Sequence, residues 1–342
     1  MKSSIKKLQE FLLNDVRPVS VDIACTVYNH GKYLKESLDG MLMQKTNFPY
    51  RIIIHDDAST DNSSEIIREY QATYPDKIVA VIEEENLYQN GKSIYAKMFG
   101  YYTAKYIASC EGDDYWIDEN KLQKQIDYLE ANSDCVACYH NILPVNEAGE
   151  YDESLRIGYV LLPEGDYTQK EIRRFCLKTQ TASLVRRNIN PFMIEEDKKA
   201  YQIAKCNGDE KVLILYGTIG RIHYLPDVMA AHRRVFLGDS YTARQANKSE
   251  LERFISGQQR YIEKCKLYQY LSGKKRYPYI QVLHNDIMFT VRKHKELRKE
   301  DLHELYSSFK FPIYAYLGYG PYLGFKVIRK VLLSCKRTSQ AD

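Results

Sequence analysis

The chain has 342 residues, 44% of them apolar and 27% charged, with a net charge of +4. That length carries one large or two smaller domains with a substantial core, and the composition excludes a mainly disordered chain. Seventeen Gly and ten Pro exclude collagen-like and low-complexity classes, and no uninterrupted apolar run reaches the ~18 residues of a spanning helix.

Residues 1–17 read as an N-terminal helical segment. Its apolar run, FLL, is too short for a signal-peptide core, so an intracellular, cytoplasmic protein is expected. Residues 19–27, VSVDIACTV, predict a first strand that ends at Tyr28-Asn29-His30-Gly31. Leu34, Leu38, Met41 and Leu42 then share one helical face. RIIIHDD (51–57) predicts a second buried strand, and Ser59-Thr60-Asp61-Asn62 a helix start before Ile66, Ile67 and Tyr70. A third strand follows at 78–82, a helix at 93–105 and a fourth strand at 106–110, which runs into Glu111-Gly112-Asp113-Asp114. This alternation predicts an α/β fold, a mostly parallel sheet flanked by helices. Ligands of such sheets bind beyond the carboxyl ends of the strands, where all the polar residues just named fall.

Further on, CVACYHNIL (135–143) reads as a buried strand. Its Cys135 and Cys138 have no second pair at finger spacing and are assigned to the core. The eight cysteines are scattered and are expected to be free thiols in a reducing compartment. Beyond Glu250 the strands cease. Residues 251–271 and 279–299 read as helices, so the catalytic domain is placed at 18–245 and a basic, Tyr-rich helical region at 246–342. From Glu250 onward there are 18 Lys and Arg against 9 Asp and Glu. The first 249 residues therefore carry −5 within the chain total of +4. Within 321–337, Phe325, Ile328, Val331, Leu332 and Cys335 fall at helical spacing amid basic residues, the pattern of a helix lying on an anionic membrane face. The competing reading packs that face on the catalytic domain.

The chemistry concentrates in three clusters. Glu111, Asp113 and Asp114 repel one another unless a cation intervenes. Mg²⁺ or Mn²⁺ held by one or two carboxylates, with positions open to phosphates, fits them. An acidic turn with helix-capping aspartates fits as well. Asp56 and Asp57 close the second strand, where a carboxylate could accept from a nucleobase N–H. Tyr28 at the end of the first strand could stack on a base.

Their order and spacing are more specific than any one cluster. TVYNHGKYLKESLDGMLMQ, IIIHDDASTDNSSEII and ENLYQNGKSIYAKMFGYYTAKYIASCEGDDYW, followed by TASLVRR (181–187), NGDEKVL (207–213) and GTIGRIHYLPDVMAAHRR (217–234), resemble the family 2 glycosyltransferases and their GT-A fold over residues 18–240. The resemblance implies that Thr26, Tyr28 and Asn29 line a nucleotide-sugar pocket and that Asp57 binds the nucleobase. It brings Lys92 toward the base or diphosphate. Asp113, with Glu111 or Asp114, would hold Mg²⁺ or Mn²⁺ on the diphosphate, and Asp209 would be the general base. Two departures stand out. Glu111 replaces the usual first Asp, and Val235 occupies the position of a family His, leaving His232-Arg233-Arg234 as a source of positive charge for phosphate.

These residue types suit an inverting transfer, in which a carboxylate takes the proton of an attacking hydroxyl and a divalent ion neutralises the leaving nucleoside diphosphate. The implied partners are a nucleotide-sugar donor and a glycan or lipid-linked glycan acceptor in surface polysaccharide assembly, with peripheral contact on the inner face of the cell membrane and no nucleic acid. The alternative is a non-catalytic nucleotide-sugar-binding or scaffold protein. A nucleotidyltransferase would need a Gly-rich loop after the first strand, which Tyr28-Asn29-His30-Gly31 is not.

Overall fold

The computed structural model describes residues 2–155, 161–236 and 241–275, together with residues 281, 282 and 285. Its strands are β1 (Val21–Val27), β2 (Tyr50–Asp56), β3 (Ile78–Ile82), β4 (Tyr106–Ser109), β5 (Tyr115–Trp116), β6 (Cys135–Val145), β7 (Gly165–Asp166), β8 (Val185–Arg187) and β9 (Arg221–Arg233). Its helices are α1 (Lys2–Leu13), α2 (Leu34–Leu42), α3 (Ser63–Thr73), α4 (Ile94–Met98), α5 (Lys121–Ala131), α6 (Gln169–Arg174), α7 (Glu195–Ile203), α8 (Gly208–Ile219), α9 (Tyr241–Ala246) and α10 (Glu250–Ser272).

Among the described residues the strands form one sheet in the order β3-β2-β1-β4-β8-β6-β9-β5, with β7 on β9. The first four run parallel, as the strand–helix alternation predicts. Beyond β4 the sheet is mixed: β8 is antiparallel to both neighbours, while β6 and β9 are parallel.

Among the described residues two large cores hold the sheet, with a smaller cluster of Ile53, Val81 and Ile107 against Met98 and Tyr102. On one face Ile23, Cys25, Ile52 and Ile54 pack against Leu34, Leu38 and Met41 of α2 and Ile66 and Ile67 of α3. The second core gathers β6 and β9 around α8, whose Leu213, Ile214, Leu215 and Tyr216 are all buried. A helix apolar on every side belongs inside a protein, and truncating Leu213 to Ala would cost about 2–5 kcal/mol. Leu8 and Leu12 of α1 and Leu267, Tyr268 and Leu271 of α10 complete this core. Helix α10 matches its expected span. A Ser249–Glu252 capping box starts it, and Gly273, at φ 66°, ends it in the left-handed conformation that glycine adopts without strain. The expected helix 279–299 and the amphipathic stretch 321–337 lie outside the described residues, apart from the three positions named above.

The expected helix 93–105 is shorter, Ile94–Met98. The reason is Asp22, a wholly buried carboxylate inside β1. It accepts from the Thr103 and Ala104 N–H groups at 2.7 and 2.8 Å and from Arg51 Nη2 at 2.8 Å. A charged acceptor outcompetes a continuing helix for those amides. Cys135 and Cys138 are buried in β6, and among the described residues no helix is long and apolar enough to cross a membrane.

Candidate active site

Strand register builds the crevice. Val27 lies opposite Asp56, so the turns after β1 and β2 leave the sheet side by side. Ala24 lies opposite Ser109, so β4 ends lower and the segment 110–114 climbs the flank of β1. The Gly112 N–H donates to Thr26 O at 3.0 Å. A Cβ at Gly112 would stand 2.9 Å from both His30 Nδ1 and a Val27 methyl carbon, so only glycine allows this approach.

The bank formed by β1 and β2 is stitched together by side chains. Asn29, at φ 55°, accepts the Thr60 N–H at 2.7 Å through Oδ1 and donates its own N–H to Ser59 Oγ at 2.9 Å. The His30 N–H donates to Ser63 Oγ at 3.0 Å, and the Gly31 N–H to Asp61 Oδ2 at 2.8 Å. Burial raises the Asp61 carboxyl, but the donors from Ser63 and Gly31 outweigh it and hold the group below its usual range. Ala58 also takes the left-handed conformation, at φ 59°. That costs a residue with a Cβ roughly 1–2 kcal/mol and concentrates backbone strain at the crevice.

Asp57 is engaged within the chain. It is 3% exposed, and its two carboxylate oxygens accept the backbone N–H groups of Leu87 at 2.7 Å and Tyr88 at 3.1 Å. Its carbonyl accepts from Asn86 Nδ2 at 2.9 Å. The structure makes it the anchor of the 86–91 turn and leaves the carboxylate buried beneath that turn. Tyr28 reaches the same turn, its hydroxyl accepting from Gln89 Nε2 at 3.2 Å. Lys92 is exposed and pairs with Glu85 at 3.7 Å, on the wall of a separate cavity beyond β3.

The opposite bank holds the acids. Glu111 and Asp113 follow β4, and Asp209 stands in the first turn of α8, where Asn207 and Glu210 form the capping box and leave Asp209 free of that duty. Burial raises the Glu111 carboxyl well above its usual value, and the charges of Asp113, Asp114 and Asp209 push it further. That coupling brings together residues widely separated in sequence. Burial also raises Asp113, opposed by His30 and His232. His30 Nε2 stands 3.9 Å from Asp113 Oδ2. Asp209 too is raised by burial, although its Oδ1 accepts the Glu210 N–H at 2.7 Å.

Asp114 turns inward instead of toward the acids. It is 1% exposed and accepts the Arg233 N–H at 2.9 Å, with His232 Nδ1 3.1 Å from Oδ1. This engagement with Arg233 and His232 distinguishes it from Glu111 and Asp113. Arg233 is likewise spent: it is buried, and its guanidinium donates to the carbonyls of Asp113 at 3.1 Å and Glu147 at 2.8 Å and to Glu36. It shapes the 113–114 turn. Sequence reasoning passed over His30 as a neighbour of Asp113. The only signal was its place in the turn after β1.

Among the described residues no group of three or more His, Cys, Asp or Glu is poised to hold a metal by itself. Glu111 and Asp113 are both half-buried; burial raises each, and the charges of Asp113 and Asp114 push Glu111 further. This donor set fits a divalent ion that draws its other ligands from phosphate and water.

A sequence model described as Glycosyl transferase family 2 matches residues 22–191. An uncharacterized protein of Mycobacterium bovis is 39% identical over 134 residues, 39% of this chain and 38% of that protein. An uncharacterized glycosyltransferase of Methanocaldococcus jannaschii is 28% identical over 194 residues, 56% of this chain and 60% of that protein. The chain thus spans 38% and 60% of these relatives, less than two thirds of each. Among solved structures, S. aureus TarS 1-349 in complex with UDP-GlcNAc superposes with a TM-score of 0.54 at 14% identity, covering 85% of this chain and 79% of that one. That likeness is one of fold.

Proposed function

The chain belongs to glycosyl transferase family 2 through residues 22–191, and we propose that it moves a sugar from a nucleotide-diphosphate donor to a hydroxyl acceptor in one inverting displacement. The observation that carries this reading is that the charges of Asp113, Asp114 and Asp209 all act on the carboxyl of Glu111, just past the end of β4. A non-catalytic binder has no need of three acids that burial holds above their usual range.

Asp209 takes the proton of the acceptor hydroxyl. Its raised carboxyl makes it a better base than an ordinary aspartate, and its seat on a buried helix fixes its aim. The donor nucleotide lies along Thr26, Tyr28 and Asn29, with Asp57 positioning the turn that borders it. Glu111 and Asp113 would hold Mg²⁺ or Mn²⁺, which when bound supplies positive charge against the leaving diphosphate. The acceptor is read as a glycan or lipid-linked glycan, as the family resemblance implies.

The test is nucleoside diphosphate affinity in Mn²⁺ and in EDTA, for the parent and Asp113→Asn. The parent should bind at least tenfold more tightly with Mn²⁺, and the variant should lose that gain. Equal affinities in all four arms would overturn the metal-linked donor site.

A further inference from the structure

Lys264 sits where its helix calls for an apolar residue. Tyr261, Cys265 and Tyr268 of α10 pack into the core around α8. Lys264 lies three residues after the first and four before the last, on the same stripe of the helix. Its side chain is only 14% exposed. A charge in such a place persists only when it is paired. The partner is Glu210, whose Oε1 accepts from Lys264 Nζ at 2.8 Å and whose side chain is 17% exposed. The buried Phe175 ring, its centre 5.5 Å from Nζ, flanks the pair from the end of α6.

Glu210 has a second task. Its other oxygen, Oε2, accepts the Asn207 N–H at 3.1 Å and closes the capping box at the start of α8. One carboxylate therefore ties α10 to the first turn of α8. Asp209 lies between Asn207 and Glu210 in the chain, and its Oδ1 accepts the Glu210 N–H at 2.7 Å. A capping box closes with its two reciprocal bonds alone, so the lysine is a further hold on the same turn. It also acts on Asp209 through its charge. Burial raises that carboxyl first, the charge of Glu210 adds to the rise, and the charge of Lys264 opposes it. We propose that Lys264 is a positioning residue for the base: through Glu210 it fixes the first turn of α8 and so the aim of Asp209, which makes α10 part of the catalytic unit. The inference rests on the assignment of Asp209 as the base given above. Both helices lie beyond the matched family segment, residues 22–191.

The experiment is steady-state release of nucleoside diphosphate by the full chain in Mn²⁺, with UDP-GlcNAc, UDP-glucose and GDP-mannose offered as donors and water as acceptor. The donor that the parent turns over fastest is kept for the variants. Lys264→Met should lower kcat about tenfold, the order of loss when a reacting group is misaimed, with KM within about twofold of the parent. Lys264→Arg keeps the charge and should stay within about threefold in kcat. Glu210→Gln keeps the cap, because glutamine also closes a capping box, but removes the charge that Lys264 meets. It should lose as much kcat as Lys264→Met, and the double variant should lose no more than either single one. If Lys264→Met fails to fold by circular dichroism, Glu210→Gln and Lys264→Arg decide. Unchanged kcat in Lys264→Met or Glu210→Gln, a loss that Lys264→Arg does not recover, a change confined to KM, or losses that multiply in the double variant would overturn the positioning role. In each of those cases a large loss in Asp209→Asn, run alongside, keeps the base assignment standing. Undiminished turnover in Asp209→Asn, or a parent that releases nothing from all three donors, would overturn the transfer reading and this inference with it.

Discussion

On the bank built by β1 and β2, Asp56, Asp57 and Asp61 accept from Ser59, Leu87, Tyr88, Gly31 and Ser63. On the bank built by β4 and α8, Glu111, Asp113 and Asp209 are all held above the usual carboxylate range, burial being the first cause in each. The residue types are alike, yet the first set is committed to backbone amides and the second faces its own repulsion. An acid saturated by N–H donors stabilises a loop. An acid left in part without them stores free energy that a proton, a cation or a substrate can release. Asp114 marks the boundary, for it adjoins Asp113 in sequence but faces inward to Arg233 and His232.

The sharpest way to break this comparison is Asp209→Asn. If the second bank does the chemistry, sugar transfer should fall 10²–10⁴-fold, the ordinary worth of a positioned general base, with nucleotide affinity nearly unchanged. Turnover and affinity measured side by side check it. A loss under about threefold would move the base elsewhere.

Asp57→Ala tests the first bank. The buried Leu87 N–H and its neighbour at Tyr88 would lose a charged acceptor, at a cost of about 2 kcal/mol. Urea unfolding should show that loss as a lower midpoint. Nucleotide affinity should fall only modestly, through the loosened 86–91 turn. Unchanged stability with abolished binding would restore the role the sequence suggested, direct contact with the base.

The two banks show where sequence reading succeeds. The parallel strands were legible because β1, β2, β3 and β4 are short apolar runs, each closed by polar residues. The convergence of the strand-end clusters followed from that alternation. Which way each acid turns was not legible. Asp57 and Asp113 both sit one or more residues past a strand end, and only the 86–91 turn, folding back over Asp57, separates their fates. The truncation of the 93–105 helix depends on Asp22, which looked like a flaw in an apolar strand and is instead a buried acceptor for a distant segment. Asp114 and Arg233 meet across β9, a pairing no local pattern announces.

The smallest effect asks whether a perturbed ionisation by itself marks chemistry. Lys121 opens α5 and is wholly buried, its Nζ 4.1 Å from the centre of the Trp116 ring and donating to Gln125 Oε1 at 2.8 Å. Burial lowers its pKa to about 7. It faces the underside of the second bank, near Cys110, Cys138 and Asp118, and not the crevice. Its amine ionises near 10.4 in an unfolded chain, so between pH 7 and about 10 the unfolded state binds the extra proton and stability rises with pH. The contribution approaches 1.4 kcal/mol per pH unit within that window and is flat below pH 7. Lys121→Met removes the titration but strips Gln125 Oε1 of its donor. The variant should therefore gain on the parent most at pH 6 to 7, and the gain should shrink steadily toward pH 10. Chemical unfolding of both proteins across that range reads the difference directly, and turnover of the variant at pH 7 should stay within about threefold of the parent. A loss of turnover comparable to that of Asp209→Asn would place Lys121 in the chemistry and erase the distinction between the acids of the crevice and the charge buried beneath them.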